Sequence, residues 1–561
     1  MINHANDGTL SYMIAHSIAA LVYSLVPSLP GSFPMKPFEP AVENGDFTQY
    51  VDPLPIMPHL YPKPSRTGGV SEITITLDQF QTSIHRDLPL QNLWGYNGIS
   101  PGPVIDVEKG QKLIVHWKNN LPTQHIFPVP PDSQAQALRM GLCLPTTPDV
   151  RTVTHLHGAE VSETDPSDRL HNNDGWPDSW IVPGQEQIAE YPNNQDARTL
   201  WYHDHAMGTT GRNVAAGLAG TYLIHDDYER SLGLPSGKYD IPLLFQAHSL
   251  NDDGNLQYTN DVNLEMYGNS VAVNGKLWPY LDVEPVKYRF RMINGSNARS
   301  YAMKLVDFTT QADGPAFYQI GSDAGFLEKP AIFNDPNDVT SPRLLLAPAE
   351  RADIIVDFSQ FAGKTLLLHN TSRDPGDGEI AMPGMMVFRV STAAQAPDTS
   401  NLPTHMKSIA RMQPSQAVAM RRIVLAQAQD TAGNSFLTLN GKLWNDLVEE
   451  TPKLGSTEVW ELTNTLPDTH PFHVHLIQFQ VLDRTPFDTA QFLAKGNVVL
   501  TGPAVQPDPN EMGWKDTVRV NGSAITRIIM RFLPYPGFYV YHCHILEHED
   551  MDMMRPFQIK P

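Results

Sequence analysis

The same short phrase occurs three times in this chain, and it restricts the fold more than any other feature. Leu93-Trp94-Gly95-Tyr96-Asn97-Gly98, Val273-Asn274-Gly275-Lys276-Leu277-Trp278 and Leu439-Asn440-Gly441-Lys442-Leu443-Trp444 each set an Asn-Gly pair among apolar residues. Such a pair marks a tight turn between two strands. Each copy is followed by a segment that alternates apolar and polar residues and closes on Asn: Lys112–Asn120, Tyr288–Asn294 and Glu458–Asn464. That alternation belongs to half-buried strands. Copies spaced this widely predict three related β-sandwich units rather than a solenoid. The 561 residues, with 48 Pro and 38 Gly scattered among short β-branched runs, fit an all-β chain of several domains. Boundaries are expected near Asp226 to Gly237 and within Ser391 to Ser400, giving units at 61–230, 231–400 and 401–561 behind a Pro-rich extension at 1–60.

Four His-x-His pairs are superimposed on this repeat: His155/His157, His203/His205, His473/His475 and His542/His544. Each lies in or beside a strand-like run, and side chains two apart on a strand share a face. Both imidazoles of a pair can therefore reach adjacent metal ions. Two pairs fall in the first unit, two in the third and none in the second, so a common cluster must lie between units one and three. The isolated histidines His59, His116, His225, His248, His369 and His405 are read as ordinary surface or core residues.

The last pair brackets Cys543, which the same alternation sends to the opposite face of the strand. Cys543, His548 and Met553 follow at five-residue steps and supply a thiolate, an imidazole and a thioether. His470, three residues before His473, is the natural second imidazole. Two histidines, a cysteine and a weak axial methionine form the ligand set of a blue electron-transfer copper. Two metal sites joined through one cysteine make a redox arrangement.

Charge and cysteine content exclude several alternatives. A formal charge of -21 leaves no broad basic surface for nucleic acid, and no polybasic patch for anionic membrane. With Cys543 used as a ligand, Cys143 has no disulfide partner, so cysteine usage does not fix the compartment. Residues Gly8 to Met35 hold no Asp, Glu, Lys or Arg and include the apolar run Ile18–Val26. However, Met1 to Leu10 carries Asp7 without Lys or Arg, and no twin-arginine pair occurs there. The stretch is read as an arm packed on the body rather than a targeting segment.

Taken together, H-L-H-G at 155–158, W-Y-H-D-H-A-M at 201–207, H-P-F-H-V-H at 470–475 and H-C-H-I-L-E-H-E-D-M-D-M-M-R-P at 542–556 resemble the multicopper oxidases. The likeness points to the bacterial spore-coat laccase and bilirubin oxidase branch. R-D-L-P at 86–89, L-W-G-Y-N-G at 93–98 and L-A-P-A-E-R at 346–351 extend it from about residue 65 to the end. The resemblance implies three cupredoxin-like Greek-key β-sandwiches and four copper ions. It assigns His470, Cys543 and His548, with Met553 axial, to a type 1 copper, and His155 and His473 to a type 2 copper. A type 3 pair takes His157, His203, His205, His475, His542 and His544. It further implies that a phenolic, aminophenolic or tetrapyrrole donor yields single electrons through a solvent-facing edge of His548. These pass by way of Cys543 to His542 and His544, and O₂ becomes water at the cluster. Glu549 and Asp174 match acidic positions that the family uses to supply protons. Axial thioether ligation by Met553 implies a moderate potential.

Two rival readings accompany this one. A metal-ion oxidase acting on Cu(I) or Mn(II) often carries a Met-rich insertion; here Met382, Met385 and Met386 read better as the end of a core strand. A coat or assembly protein with incidental copper is weighed against by the complete ligand set. The expected partners are a small aromatic donor and O₂, with the chain acting as a monomer. The N-terminus fits an extracytoplasmic, spore-coat location as well as a cytoplasmic one.

Overall fold

A computed structural model describes residues 48–63, 69–129, 143–258, 265–338, 340–372, 382–429, 433 and 435–561. The run Ile18–Val26 and most of the Pro-rich extension lie outside the described residues. Among those described, six sheets pair off along the chain. Strands from His59 to His225 form sheets of four and five; those from Asp240 to Val390, sheets of eight and five; those from Ala419 to Ile559, sheets of five and four. No described helix is long and apolar enough to cross a membrane.

The threefold phrase has a threefold structural cause. Asn97, Asn274 and Asn440 sit at φ of 55°, 49° and 57°, and Gly98, Gly275 and Gly441 at 70°, 82° and 65°. Two successive left-handed residues give the type I′ turn, whose twist matches the flanking strands. Each Asn also clamps a neighbouring strand. Its N–H donates to, and its Oδ1 accepts from, the backbone of Thr76, Leu244 or Val424. That neighbour runs parallel to the alternating strand of its unit: Ser71–Thr82 beside Leu113–Asn119, Asp240–Leu250 beside Lys287–Asn294, Ala419–Gln429 beside Thr457–Asn464. The closing Asn119, Asn294 or Asn464 accepts the N–H two residues on, an Asx turn that ends the strand.

Each pair of sheets encloses its own apolar core. Met382, Met385 and Met386 are buried in the middle one. Tyr50 and Leu54 join the same core, with backbone hydrogen bonds to Trp278 and Tyr280. His59–Leu60 then adds a parallel edge strand beside Val104–Ile105, so the described part of the extension is bound as an arm. A seam of Trp176, Met207, Trp444, Val540 and Met554 joins the first and third units. At ~1.5–3 kcal/mol for each fully buried large apolar side chain, that seam is strong enough to hold a site built across it.

Candidate metal centre

Strand register puts the histidines together. Thr154–His157 runs antiparallel to Arg198–Asp204, with His155 opposite His203. His470–Val474 lies between Thr517–Val520 and Gly537–Cys543, with His473 opposite His542 and Phe472 opposite Cys543. Directly opposed residues share a face, so His473 and His542 point one way while Cys543 points into the third core. The first and third units then meet imidazole on imidazole. His157 stacks on His473 at 3.7 Å between ring centroids, and His155 on His475 at 3.9 Å. All eight paired histidines are buried, none more than 1% exposed.

The ring nitrogens divide into an outer and an inner set. Nδ1 of His203 meets the Asp204 carbonyl at 2.8 Å, Nδ1 of His473 the Asp516 carbonyl at 2.8 Å, and Nδ1 of His542 the Cys543 carbonyl at 3.0 Å. Asp174 holds two rings, His155 through its carbonyl and His475 through its carboxylate at 2.8 Å. His157 is reversed, with Nε2 at 3.2 Å from both Asp516 Oδ1 and Thr517 Oγ1. The nitrogens left over, Nε2 of His155, His203 and His473 and Nδ1 of His157, are buried without a partner, as are both of His544. Nε2 of His542 lies 3.3 Å from that of His205 and 3.2 Å from that of His475.

An orphaned buried polar group costs about 1–3 kcal/mol, so this many around one space need an occupant. Burial, reinforced by neighbouring imidazoles, keeps His155, His157, His475 and His544 well below the ordinary histidine range. Burial likewise lowers His203 to about 3 and His205 to about 4. Neutral imidazoles converging on a common space are a donor set for a cation. His155/His157/His203, His205/His475/His542 and His155/His473/His475 each bring their ligand atoms within 4.8 Å of one another.

On the other face, Cys543 Sγ is 3.5 Å from His470 Nδ1 and 3.7 Å from His548 Nδ1. Met553 is buried in the same core, its carbonyl accepting the Cys543 N–H and its own N–H donating to the His548 carbonyl. Burial pushes the Cys543 thiol up. It therefore becomes a thiolate only with a cation against it, and two imidazoles beside a thiolate suit copper.

The edge that His548 presents to solvent is narrower than expected. Its side chain is 11% exposed, and Nε2 lies 2.7 Å from Glu265 Oε1. On the helix Leu546–Asp550 that carries His548, the Tyr258 hydroxyl and the Asn297 amide both donate to Glu547 Oε1, at 2.9 and 2.7 Å. Beside them is a cavity of about 340 Å³ whose lining includes Glu265, Asp468, Glu547, His548, Leu466 and Met551.

Both carboxylates singled out in the sequence reach the histidines. Glu549 Oε2 is 3.1 Å from His542 Nδ1, and Oε1 is 3.5 Å from His205 Nδ1. Burial pushes the Glu549 carboxyl up, but His205 and His542 outweigh it and hold the group at about 2. For Asp174, burial and then Glu163 raise the carboxyl well above the usual range. Its Oδ1 is buried without a partner. Glu265, Asp516, Thr517 and Arg351 escaped the reading of the sequence. Only Arg351 carried a signal, the L-A-P-A-E-R phrase, and that phrase names no role.

With this geometry established, the chain can be set beside known proteins. Sequence profiles described as "Multicopper oxidase" match residues 412–561 and, separately, 80–128 with 147–229. The chain is 42% identical over 537 residues to the laccase of Bacillus subtilis (strain 168), spanning 91% of this chain and 98% of that one. It is 32% identical over 528 residues to the bilirubin oxidase of Albifimbria verrucaria, spanning 91% and 81%. Among solved structures, the laccase from Pediococcus acidilactici Pa5930 is similar with a TM-score of 0.70 and 28% identity, over 92% of this chain and 95% of that one.

Proposed function

The chain belongs to the multicopper oxidase family, and from that premise we propose how its own residues divide the work of a laccase-like enzyme. Four copper ions are its cofactors, and it couples the oxidation of aromatic donors to the reduction of O₂. His470, Cys543, His548 and Met553 would hold the type 1 copper. His155 and His473 would hold the type 2 copper, and His157, His203, His205, His475, His542 and His544 the type 3 pair. When bound, these ions supply one-electron acceptance at Cys543 and four-electron reduction of O₂ to water at the histidines.

The observation that carries this reading is the position of Cys543. Its side chain faces one donor set, while its neighbour His542 belongs to the other and His544 packs its ring against His157 and His203 there. Two peptide units thus join Sγ to both imidazoles, a covalent route that excludes solvent throughout. At the outer end His548 turns Nε2 toward the cavity, and Glu265 is placed to accept the proton that a phenol releases on oxidation. At the inner end Glu549 touches His205 and His542 and Asp174 touches His475, so each can pass a proton to the edge of the cluster. The carboxylates of Glu265, Asp468 and Glu547 favour neutral or cationic donors over anionic ones. The same observation supports a second reading, oxidation of a metal cation.

The test is anaerobic bleaching of the blue thiolate band in the copper-loaded protein, mixed in turn with a diphenol, an aminophenol, bilirubin, Cu(I) and Mn(II). Fast bleaching by organic donors, with colour restored by air, is the expected result. Bleaching by a metal ion alone would transfer the assignment to the second reading. Absence of a blue band at full copper loading would sink the role of Cys543.

A further inference from the structure

The middle unit contributes no histidine to the cluster, yet one of its side chains lies directly behind it. Arg351 is 1% exposed and uses all of its guanidinium N–H groups. Nε donates to the Thr199 carbonyl at 3.1 Å. Nη1 donates to the Ala349 carbonyl at 3.0 Å and to Asp516 Oδ1 at 2.7 Å. Nη2 donates to the Asp323 carbonyl at 2.9 Å and to Asp516 Oδ2. Its bonds thus reach the first unit at Thr199, the second at Ala349 and Asp323, and the third at Asp516.

Asp516 is where this fork meets the histidines. Its Oδ1 faces His157 Nε2 at 3.2 Å, and its carbonyl accepts His473 Nδ1 at 2.8 Å. These two rings come from different units and stack at 3.7 Å. One residue therefore fixes the outer nitrogens of both, and in doing so decides that His157 presents Nδ1 inward. We infer that Arg351 is a positioning residue for the histidine cluster, through which the middle unit sets the orientation of His157 and His473.

The chemistry requires an arginine. A bidentate guanidinium removes both the rotation and the displacement of a carboxylate; a lysine ammonium fixes neither. Without the fork, the Asp516 carboxylate would keep, besides the imidazoles it faces, only the Thr517 hydroxyl, which donates to Oδ1 at 2.9 Å, and that single donor does not fix its plane; partners of this kind typically govern metal affinity by ~10–100-fold. The space is also reserved. Gly158, at φ +88°, closes the H-L-H-G phrase, and a Cβ there would lie 2.7 Å from Asp516 Oδ2 and 2.8 Å from Arg351 Nη2. The ion pair occupies the volume that a side chain at 158 would need. Behind it, Lys515 joins Asp323 at 2.8 Å to Glu350 at 3.1 Å, which anchors the far side.

The inference rests on the ligand assignment proposed above, and the experiment separates the two. Full-length wild type, R351M, R351K and R291M are loaded with copper and compared for copper per chain, the blue band and the type 2 electron paramagnetic resonance signal. R291M is the control for a lost buried cation. Arg291 is fully buried in the middle unit and paired with Glu229 and Asp240. R351M is expected to keep the blue band while its cluster binds copper ~10–100-fold more weakly, lowering retained copper from four per chain towards one. R351K is expected to retain more copper with a shifted type 2 signal, and R291M to keep both copper and signal while melting earlier. R351M with four coppers and a wild-type type 2 signal overturns the inference and leaves the ligand assignment standing. If R351M does not accumulate as folded protein, R351K decides, and an unshifted signal at full copper overturns the inference. A wild type lacking both blue band and type 2 signal removes the ligand assignment, and this inference with it.

Discussion

At the Cys543 site the ligands come from one unit, His470 Nε2 has no partner, and His548 stands on a cavity wall with its outer nitrogen on Glu265. At the eight-histidine site the donors come from two units, and six of the eight rings rest an outer nitrogen on a main-chain carbonyl or on the buried carboxylate of Asp174 or Asp516. One site keeps an imidazole near the surface, and the other is fixed from behind almost everywhere. The difference follows from what each must exchange. An electron needs only a short approach to a ring edge, whereas a centre that handles O₂ and protons must hold its ions through every turnover.

The largest effect should come from cutting the connection between the two. Cys543→Ser is expected to abolish the blue band and lower turnover of a diphenol by at least ~1000-fold. The type 2 resonance and the copper held by the histidines should persist. Loss of both signals together would show that the sites are not separable. Glu549→Gln comes next. Anaerobic bleaching by the donor should be unchanged, while recolouring by O₂ slows ~100-fold, the usual scale for a lost proton-transfer group. Equal slowing of both half-reactions would place Glu549 outside proton delivery.

A smaller effect is expected at the cavity. For aromatic donors that release no proton on oxidation, Glu265→Gln should raise KM for a cationic one about 5–10-fold and lower it for an anionic one, with kcat within about twofold. Parallel shifts for both donors would remove charge selection from the account.

The smallest concerns a histidine in the opposite environment. Burial alone would lower His225, but hydrogen bonds to Asp106 and Glu229 outweigh it and raise the group to about 9. A histidine raised in the folded state contributes stability that is complete below pH ~6.5 and fades as pH rises through about 9. Denaturant unfolding of wild type should lose about 3 kcal/mol across that window, and His225→Gln should lose less. Matching slopes would mean that His225 is not held charged.

What could be read in advance was whatever depends on local backbone order. Strand alternation alone separated Cys543 from His542 and His544, and the Asn-Gly pairs located three tight turns, because both are properties of consecutive residues. The paired histidines were visible for the same reason. Glu265, Asp516 and Arg351 were not, since each acts on a residue far along the chain and sits in a stretch with no period. The shielding of His548 was misjudged on the same ground. Its neighbours in the helix carry two carboxylates, Glu547 and Glu549, that are themselves buried, and the residue paired with its outer nitrogen is 283 positions earlier.

The split of the cluster between first and last units also governs when it can exist. His542 is made 337 residues after His205, with which it is in contact, a delay of roughly 17–67 s at ~5–20 residues per second of synthesis. Until His473 is made the nascent chain displays only four of the eight paired imidazoles, with no third unit to close over them. The cluster is therefore completed only near the end of synthesis, and a chain cut short anywhere upstream of His542 also lacks Cys543 and His548 and can complete neither site.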